Sequence, residues 1–344
     1  MKNIAIIMGG YSSEYKISLV SGNVVYNFLD QSKFKGYRIH IFKEKWVYVD
    51  ANDAEFPIDK NDFSTTVNGT KITFDAVFNA IHGTPGEDGL MQAYFELLGI
   101  PQTSCDYYQA ALTFNKRDLL SVLKPYGIKT ATSFYLNKGD LIDTAEIVNK
   151  VGLPCFVKPN KSGSSFGISK VKTAAELPIA IEVAYKEDNE IIIESFLDGT
   201  EVSVGVINYQ GTITVLPITE IVSENDFFDY EAKYLGKSQE ITPARISDEM
   251  TQKVGEIAKR AYEVLKIESN KYEFVYTENN SKKLIKKIYY APDFECNLVE
   301  EQNTYHFKLG KWIKLQKWHN NETGLQERYN NKVFEPAINL ILTN

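Results

Sequence analysis

The first hundred residues alternate between short apolar runs and segments whose apolar positions have helical spacing. This alternation predicts a parallel sheet, with ligand-binding loops at the carboxyl ends of its strands. We expect an N-terminal parallel α/β domain over residues 1–101, ending at Gly99-Ile100-Pro101. The runs that predict strands are Ile4 to Met8, Tyr37 to Phe42, Val47 to Val49 and Phe74 to Ile81, and the predicted helices are Ser18 to Leu29 and Gln92 to Leu98.

Two loops of this domain leave a predicted strand and enter a predicted helix. In the first, Gly9 to Ser18, the backbone amides and the helix dipole favour an anion, while Glu14 can hold an ammonium. The second, His82 to Leu90, contains three glycines and a proline, which permit backbone angles that other residues avoid. A tight turn with an acidic helix cap explains this second loop equally well.

The middle of the chain contains a predicted strand, a Gly/Ser-rich loop and a second strand. The first strand ends at Lys158, the loop includes Ser162 to Gly167, and the second strand is Ile168 to Val171. Small residues can turn several N–H groups inward around an anion, and Lys158 adds a positive charge, so the segment predicts a phosphate-binding flap. The GxxxxGK[ST] order of a P-loop is absent. A plain turn with a solvated lysine is the alternative.

Further elements follow from periodicity. Taken alone, Lys116 is expected to be a solvated residue of a helix from Tyr107 to Leu123. The segment 226–234 is too aromatic for a solvated linker and too highly charged for a core, so it is predicted to fold over another feature of the protein. The sequence also predicts a helix at 171–186, two strands between Glu190 and Val206 around Asp198-Gly199, and an amphipathic helix from Glu249 to Leu265.

Composition narrows the class of protein. With 344 residues and 43% apolar content the chain is long enough for two or three globular domains. No apolar stretch approaches the ~18 residues of a membrane span, and the chain starts in a strand without a basic leader, so we expect a cytoplasmic protein with no membrane partner. Cys105, Cys155 and Cys296 are spaced like buried small residues rather than disulfide partners or metal ligands.

The last part of the chain is basic, although the whole chain has a net charge of −7. Trp312 and Trp318 lie among lysines there, a composition seen in nucleic-acid contacts. The alternation from Tyr305 to Leu315 favours a hairpin with one apolar and one lysine-rich face, so we expect no nucleic-acid partner.

Acidic residues late in the chain are candidate metal ligands. Glu295 and Asn297 form a Glu-x-Asn pair on one face of a predicted strand, and Glu273 lies in an earlier one. Four scattered histidines offer no zinc pair, so a hard ion on oxygen ligands is expected. Lysines, a flap and carboxylates together suit phosphoryl transfer from a nucleotide.

The motifs resemble those of D-alanine:D-alanine ligases, which are ATP-grasp enzymes. The resemblance covers residues 1 to about 267 and rests on GGYSSEYKISL, HGTPGEDG, Asn115-Lys116, FVKPNKSGSSFGISKV, IIIESFLDGTEVSV and FFDYEAKY, which occur in the family's order. It implies an ATP-grasp fold of mixed α/β and α+β class, with a Rossmann-like N-terminal domain, a central subdomain at 102–195 and a C-terminal one at 196–344. It also implies that ATP phosphorylates one D-alanine, whose acyl phosphate is attacked by the amine of a second, for peptidoglycan precursor synthesis.

The resemblance assigns roles to individual residues. For ATP these are Lys116 and Lys158 at the phosphates, Ser164 and Ser165 on the flap, Glu194 with the Phe196 and Leu197 backbone at adenine, Glu201 at ribose and Lys233 at the transferred phosphate. For the first D-alanine they are Glu14, assisted by Ser164 and Tyr234, with His82 beside the substrates. Glu273, Glu295 and Asn297 would hold Mg2+ or Mn2+. The family is often dimeric, so a homodimer is implied as well.

The chain departs from the family pattern after residue 267. Lys271 stands where the family has a catalytic arginine, and no Pro-Gly follows the Glu-x-Asn pair. A lysine does not reproduce the bidentate contacts of a guanidinium. Three hypotheses therefore stay open: a D-alanine:D-alanine ligase, an ATP-grasp ligase with another acceptor, and a weakly active nucleotide-binding relative.

Overall fold

The computed structural model describes the backbone of residues 1–209, 212–223 and 238–266, and of five strands between residues 272 and 342. Side chains are described within the first three of these ranges.

The N-terminal domain is built on a seven-stranded sheet. Its central strand, β1, is parallel to β2 and to β7, as the strand-helix alternation predicts. The other four strands form an antiparallel meander, and of these only the strand at Val47 to Val49 was predicted from periodicity. The strands are β1 (Lys2–Gly9), β2 (Phe34–Ile41), β3 (Trp46–Val49), β4 (Glu55–Asp59), β5 (Ser64–Val67), β6 (Thr70–Ile72) and β7 (Ala76–Asn79), in the order β6-β5-β4-β3-β2-β1-β7.

A two-residue turn joins β5 and β6 in this meander. Asn68 and Gly69 have φ values of +50° and +77°, and Val67 pairs with Thr70 across them. Asn-Gly favours this left-handed turn because both residues tolerate positive φ. The meander therefore had a turn signal in the sequence, although β4 and β6 are too polar to be recognised by apolar pattern.

Helices cover both faces of the parallel core. Alternate residues of β1 point to opposite sides of the sheet. One set packs against α1 (Tyr15–Phe28) and the other against α2 (Leu90–Leu98). The first set is Ile4, Ile6 and Met8, and the second is Ala5 and Ile7, all fully buried. Burial on both faces explains why β1 is a continuous apolar run.

The central region begins with two helices where the sequence predicted one. The chain breaks between α3 (Tyr107–Phe114) and α4 (Lys116–Leu123) at Asn115, which has φ −86° and ψ 104°. The Asn115 side chain accepts a hydrogen bond from the Asp118 N–H and so caps α4. The break follows because asparagine competes for backbone donors and starts a new helix.

A four-stranded antiparallel sheet follows, with α5 (Thr144–Val151) and α6 (Leu177–Ala184) against it. Its strands are β8 (Ser133–Asn137), β9 (Cys155–Pro159), β10 (Ser169–Val171) and β11 (Glu190–Ser195), in the order β10-β9-β11-β8. The pairing of β9 with β10 confirms the predicted strand-loop-strand flap. The predicted helix at 171–186 is shorter, because Ala174–Glu176 forms a 3-10 turn before α6.

The remaining elements build a larger sheet and a small one. They are β12 (Glu201–Tyr209), β13 (Thr212–Val215), β14 (Thr219–Ser223), β15 (Ser238–Ile241), α7 (Asp248–Leu265), β16 (Tyr272–Thr277), β17 (Leu284–Tyr290), β18 (Phe294–Glu301), β19 (Thr304–Trp312) and β20 (Ala337–Leu342). One sheet has the order β15-β14-β12-β18-β19 with β13 beside β12, and the other is β17-β16-β20. The basic segment that favoured a hairpin supplies β19, which pairs with β18.

Helix α7 confirms the predicted amphipathic pattern. Val254, Ala258, Ala261 and Leu265 are buried against the sheet, within the same cluster as residues of α4. Two other residues of the predicted stripe, Ile257 and Val264, are partly buried beside them. Cys105 and Cys155 are buried and unbridged, as expected. Among the described residues, none of the helices is long and apolar enough to cross a membrane.

Candidate functional site

Three loops meet at the carboxylate of Glu14. Glu14 precedes α1 and is 2% exposed, and its Oε2 has no hydrogen-bond partner among the described residues. Leaving a buried charged oxygen unpaired is unfavourable, so such a group indicates a bound cation or donor. The predicted ammonium-binding residue is therefore placed in an enclosed position that suits this role.

Two serines, the buried Ser18 and the half-buried Ser12, fix the loop that carries Glu14. The Ser18 hydroxyl is fully buried, accepts from the Gly9 N–H at 2.9 Å and donates to the Ala80 carbonyl at 2.8 Å. Ser12 donates through its hydroxyl to the His82 carbonyl at 3.1 Å and accepts from the Glu14 N–H at 3.2 Å. These bonds tie the loop to the ends of β1 and β7, which is why the carboxylate has a defined place.

Two glycines allow the other loops to approach this carboxylate. A Cβ added at Gly83, where φ is +70°, would lie 2.4 Å from Ser12 Oγ and 2.9 Å from Glu14 Oε2. A Cβ at Gly163 of the flap would lie 2.9 Å and 3.0 Å from the two Glu14 carboxylate oxygens. Both distances are shorter than ordinary contacts, so only glycine fits at either position without movement. The flap therefore closes directly on the Glu14 pocket.

The flap turn holds two successive serines in the left-handed region. Ser164 has φ +51° and Ser165 has φ +62°, and Ser164 is 3% exposed. A non-glycine residue there costs about 1 kcal/mol, and such strain concentrates at ligand sites. Hydrogen bonds from Phe166 N to Gly163 O and from Ile168 N to Ser165 O stabilise the turn. The two serines predicted to cover phosphate thus lie in a turn whose backbone is held by hydrogen bonds.

Lys116 is buried, which corrects the expectation that it is a solvated helix residue. It is 6% exposed at the start of α4, and its Nζ donates to the Ser162 carbonyl at 2.7 Å and to the Asn160 carbonyl at 3.2 Å. An ammonium is buried only when its donors are satisfied. The two carbonyls belong to the first residues of the flap loop, so Lys116 lies beside the flap, and its role at the ATP phosphates stays a prediction.

Lys158 is also buried, which excludes the plain turn with a solvated lysine. Its Nζ lies 2.5 Å from Glu194 Oε2, and the two side chains are 8% and 10% exposed. The pair joins β9 to β11, which are neighbours in the sheet. The residues predicted at phosphate and at adenine are thus in direct contact, and a ligand would find a fixed charge of each sign.

The remaining predicted adenine and ribose residues follow β11. The Phe196 N–H donates to the Pro154 carbonyl at 3.2 Å, and the ammonium of Lys170 lies 4.3 Å from the centre of the Phe196 ring. Leu197 lies in the same connection, and Glu201 begins β12. Because β11 and β12 belong to different sheets, this connection spans the two sheets and carries the predicted nucleotide residues between them.

His82 lies beside the first loop, half-buried, with Nε2 3.0 Å from Ser21 Oγ on α1. His82 directly precedes Gly83, at which an added Cβ would lie 2.9 Å from Glu14 Oε2. Its assigned position beside the substrates stays a prediction.

Several predicted residues lie outside the described part of the chain. Lys233 and Tyr234, expected on the closing loop, are among them, as is Lys271. For the predicted metal ligands only the strands are described. Glu295 and Asn297 are on β18, opposite Gly205 and Ser203 of β12, whereas Glu273 is on β16 of the separate small sheet. Among residues with described side chains, no group of three His, Cys, Asp or Glu is placed to hold a metal.

One residue that sequence reasoning missed is Asn160. It is fully buried at the end of β9 and bonds to the start of α4 and to Glu190. The partner Asn115 carried a signal, because Asn followed three residues later by Asp predicts a helix cap inside the expected long helix. Asn160 had no such local signal, since its partners are distant in sequence.

Comparison with known proteins agrees with this geometry. The family model described as D-ala D-ala ligase N-terminus matches residues 3–105, and that described as D-ala D-ala ligase C-terminus matches residues 122–294. A D-alanine–D-alanine ligase of Flavobacterium johnsoniae is 85% identical over 280 residues, which are 81% of this chain and 87% of that protein. Another from Christiangramia forsetii is 62% identical over 278 residues, 80% of this chain and 85% of that one.

Solved structures share the fold. The VanG D-Ala:D-Ser ligase from Enterococcus faecalis matches with a TM-score of 0.68 and 27% identity, covering 91% of this chain and 90% of that one. The D-alanine–D-alanine ligase from Bacillus anthracis complexed with ATP has a TM-score of 0.64 at 20% identity, covering 96% and 100%, which supports the fold alone. With two family models spanning most of its length and a relative 85% identical over 81% of it, the chain belongs to the D-alanine–D-alanine ligase family.

Proposed function

We propose that this protein uses ATP to join two D-alanines through a D-alanyl phosphate, releasing ADP and phosphate. The observation that carries the proposal is the buried carboxylate of Glu14, enclosed by the flap whose root holds the Lys116 ammonium. The flap turn therefore lies next to both the candidate ammonium site at Glu14 and the candidate phosphate site at Lys116. An amino acid and ATP are the substrates that this pairing suits.

Glu14 would bind the ammonium of the first D-alanine. Its carboxylate is removed from water, where a charge-assisted hydrogen bond contributes about 1.5–3 kcal/mol. The substrate cation would satisfy Oε2 and leave the substrate carboxylate free to react. Ser164 on the flap and Tyr234 beyond the described residues would complete this pocket, and His82 would lie next to it.

Lys116 and Lys158 would bind the ATP phosphates. Each ammonium has three N–H donors, so a lysine can keep its protein contact and still reach a phosphate oxygen. The Lys158–Glu194 pair links Lys158 to β11, the strand that leads into the connection carrying Phe196, Leu197 and Glu201. Adenine would lie along this connection and ribose at Glu201.

The closed flap would protect the reactive intermediate. An acyl phosphate is hydrolysed unless water is excluded, and ordering of a loop over the site achieves this. The direct approach of Gly163 to Glu14 supports such a role, because the flap seals the pocket of the first substrate as well as the phosphates. Ser165 would lie over the phosphates in the same turn.

Mg2+ or Mn2+ would neutralise charge on the transferred phosphate when bound. Glu295 and Asn297 on β18, with Glu273 on β16, have the oxygen donors that such an ion prefers. Lys233 would reach the transferred phosphate, and Lys271 would take the position of the catalytic arginine. We also propose that the reaction takes place in the cytoplasm, where ATP is available, and that the chain forms a homodimer as its family often does.

A second candidate keeps the first half of the reaction and changes the acceptor. It is favoured by Lys271, which replaces a guanidinium in the region assigned to the second substrate. D-Serine and D-lactate are acceptors that would distinguish this candidate from the first.

The test measures ADP release in the presence of ATP and Mg2+, with the product identified by mass. D-Alanine or L-alanine is added alone, and D-serine or D-lactate is added together with D-alanine. We expect release that depends on D-alanine and yields D-alanyl-D-alanine, and no response to L-alanine. Turnover that appears only when D-serine or D-lactate is added with D-alanine supports the second candidate. ATP binding without turnover under any acceptor would contradict both and leave a nucleotide-binding relative.

A further inference from the structure

The side chain of Asn160 is buried near the flap and makes three hydrogen bonds. It is fully buried and lies directly after β9, two residues past Lys158. Its Oδ1 accepts from the Arg117 N–H at 2.9 Å. Its Nδ2 donates to Asn115 Oδ1 and to Glu190 Oε2, both at 2.9 Å. One amide therefore joins the start of α4, the root of the flap and the start of β11.

The main chain of Asn160 strengthens the same junction. Its N–H donates to the Glu190 carbonyl at 2.9 Å. Its carbonyl accepts from the Lys116 N–H at 3.3 Å and from Lys116 Nζ at 3.2 Å. Through its carbonyl Asn160 thus contacts the ammonium directly, and through its side chain it fixes the backbone on either side of Lys116.

Two further contacts show that this junction is rigid. The Arg117 guanidinium is anchored on the neighbouring sheet, donating to the Ile191 carbonyl at 2.5 Å and to Asn137 Oδ1 at 2.9 Å. The carboxylate of Glu190 is held by Lys161 at 3.0 Å, and hydrogen bonds from Lys161 first and Asn160 second lower its pKa. Glu190 is therefore ionised at neutral pH and strengthens the bond from Asn160.

We infer that Asn160 is a positioning residue for the phosphate end of ATP, because its buried amide sets where the Lys116 ammonium lies relative to the flap. This rests on the proposed function, in which Lys116 binds phosphate. A lysine side chain has four rotatable bonds, so its charge has a defined position only where the surroundings hold it. Alanine and serine lack an amide and cannot bridge both sides of the junction.

Asn160→Ala tests the inference, with isothermal titration of ATP and, separately, of adenosine into the full chain without D-alanine. Losing much of one hydrogen bond to a charged group corresponds to roughly a tenfold weaker affinity for ATP. Adenosine, which has no phosphate, should bind within about twofold of wild type, because the predicted adenine residues are not touched. Asn160→Ser replaces the amide with one hydroxyl, which can make one of the lost hydrogen bonds, and should weaken ATP binding by a smaller factor; it also serves if the alanine variant does not fold.

Asn61→Ala is the matched control, because Asn61 is exposed and its side chain donates to Asp59 rather than to a residue of this junction. It should leave both affinities within about twofold. Equal weakening of ATP and adenosine in the Asn160 variants would mean a general structural role and would overturn the inference. Unchanged ATP affinity would overturn it as well. If the wild-type chain does not bind ATP, the proposed function fails instead, so the two failures are distinguishable.

Discussion

Gly163→Ala is the substitution that tests the contact between the flap and Glu14. Gly163 does not need a left-handed backbone, so the added methyl group acts through space alone. The methyl carbon would lie 2.9 Å from Glu14 Oε1 and 3.0 Å from Oε2. Ordinary carbon–oxygen contacts begin near 3.4 Å, so the carboxylate or the flap must shift by about half an ångström.

The expected effect is a selective loss in D-alanine use. A displacement of ~1 Å at a reacting group can reduce the rate 100-fold, so half of that predicts a loss of about tenfold in kcat/KM for D-alanine. ATP affinity should change by less than about twofold, because Lys116 and Lys158 are held by other contacts. The measurements are D-alanine-dependent ADP release and titration of ATP in the absence of D-alanine.

Gly255→Ala is the control for adding a methyl group elsewhere. Gly255 lies inside α7, and among the described residues outside that helix the new methyl would meet Val215 Cγ1 at 3.7 Å. Alanine favours the helix over glycine, so stability should rise by about 0.5–1 kcal/mol with kinetics unchanged. If Gly163→Ala leaves kcat/KM for D-alanine at the wild-type value, or weakens ATP binding to the same extent, the flap does not close on the Glu14 pocket as described.

Three further predictions concern stability. Ser18→Ala removes the hydroxyl that bonds two buried main-chain groups, so the free energy of unfolding should fall by about 1–3 kcal/mol in urea denaturation, and no change would show that the two groups find other partners. Hydrogen bonds from Arg245 lower the pKa of Glu220, so the stability that this pair contributes is present above the ordinary value of 4.5 and is lost as pH falls through the lowered pKa. Arg245→Ala should therefore make the acid side of a stability–pH curve less steep, and an identical curve would argue against the pair. Ser13→Ala breaks an exposed bond of 2.9 Å to Glu187, which links the first loop to the central region, and should change stability by less than about 1 kcal/mol; a loss above about 2 kcal/mol would show a larger role.

Local periodicity predicted the elements that depend on local pattern. The stripe of α7 carries a repeat of 3.6 residues, β1 is a continuous apolar run, and the flap is a Gly/Ser-rich loop between two short apolar strands. Glu14 was placed correctly at the entry to a helix because strand-loop-helix order fixes such a position. The resemblance supplied the family, which periodicity could not identify.

Burial of charge was not predicted, because it depends on distant partners. Lys116 precedes its carbonyl partners by 44 and 46 residues, and nothing beside it in sequence indicates that its ammonium is enclosed. The close approach of Gly163 to Glu14 was not predicted either, because it joins the flap to a loop of the N-terminal domain. Such features follow from tertiary packing, which a single sequence does not encode by spacing.

Positional isotope exchange measures most directly the phosphoryl transfer from ATP to D-alanine that we propose for this site. ATP labelled with 18O in its β,γ-bridge scrambles the label when the terminal phosphate leaves and returns, a step that needs no second substrate. We expect scrambling that requires D-alanine and is absent with L-alanine. In Glu14→Gln the rate of scrambling should fall at least about tenfold, because a charge-assisted hydrogen bond is removed. The proposed transfer would be contradicted by scrambling that proceeds without D-alanine or persists unchanged in Glu14→Gln. It would also be contradicted if the chain binds ATP and shows no scrambling.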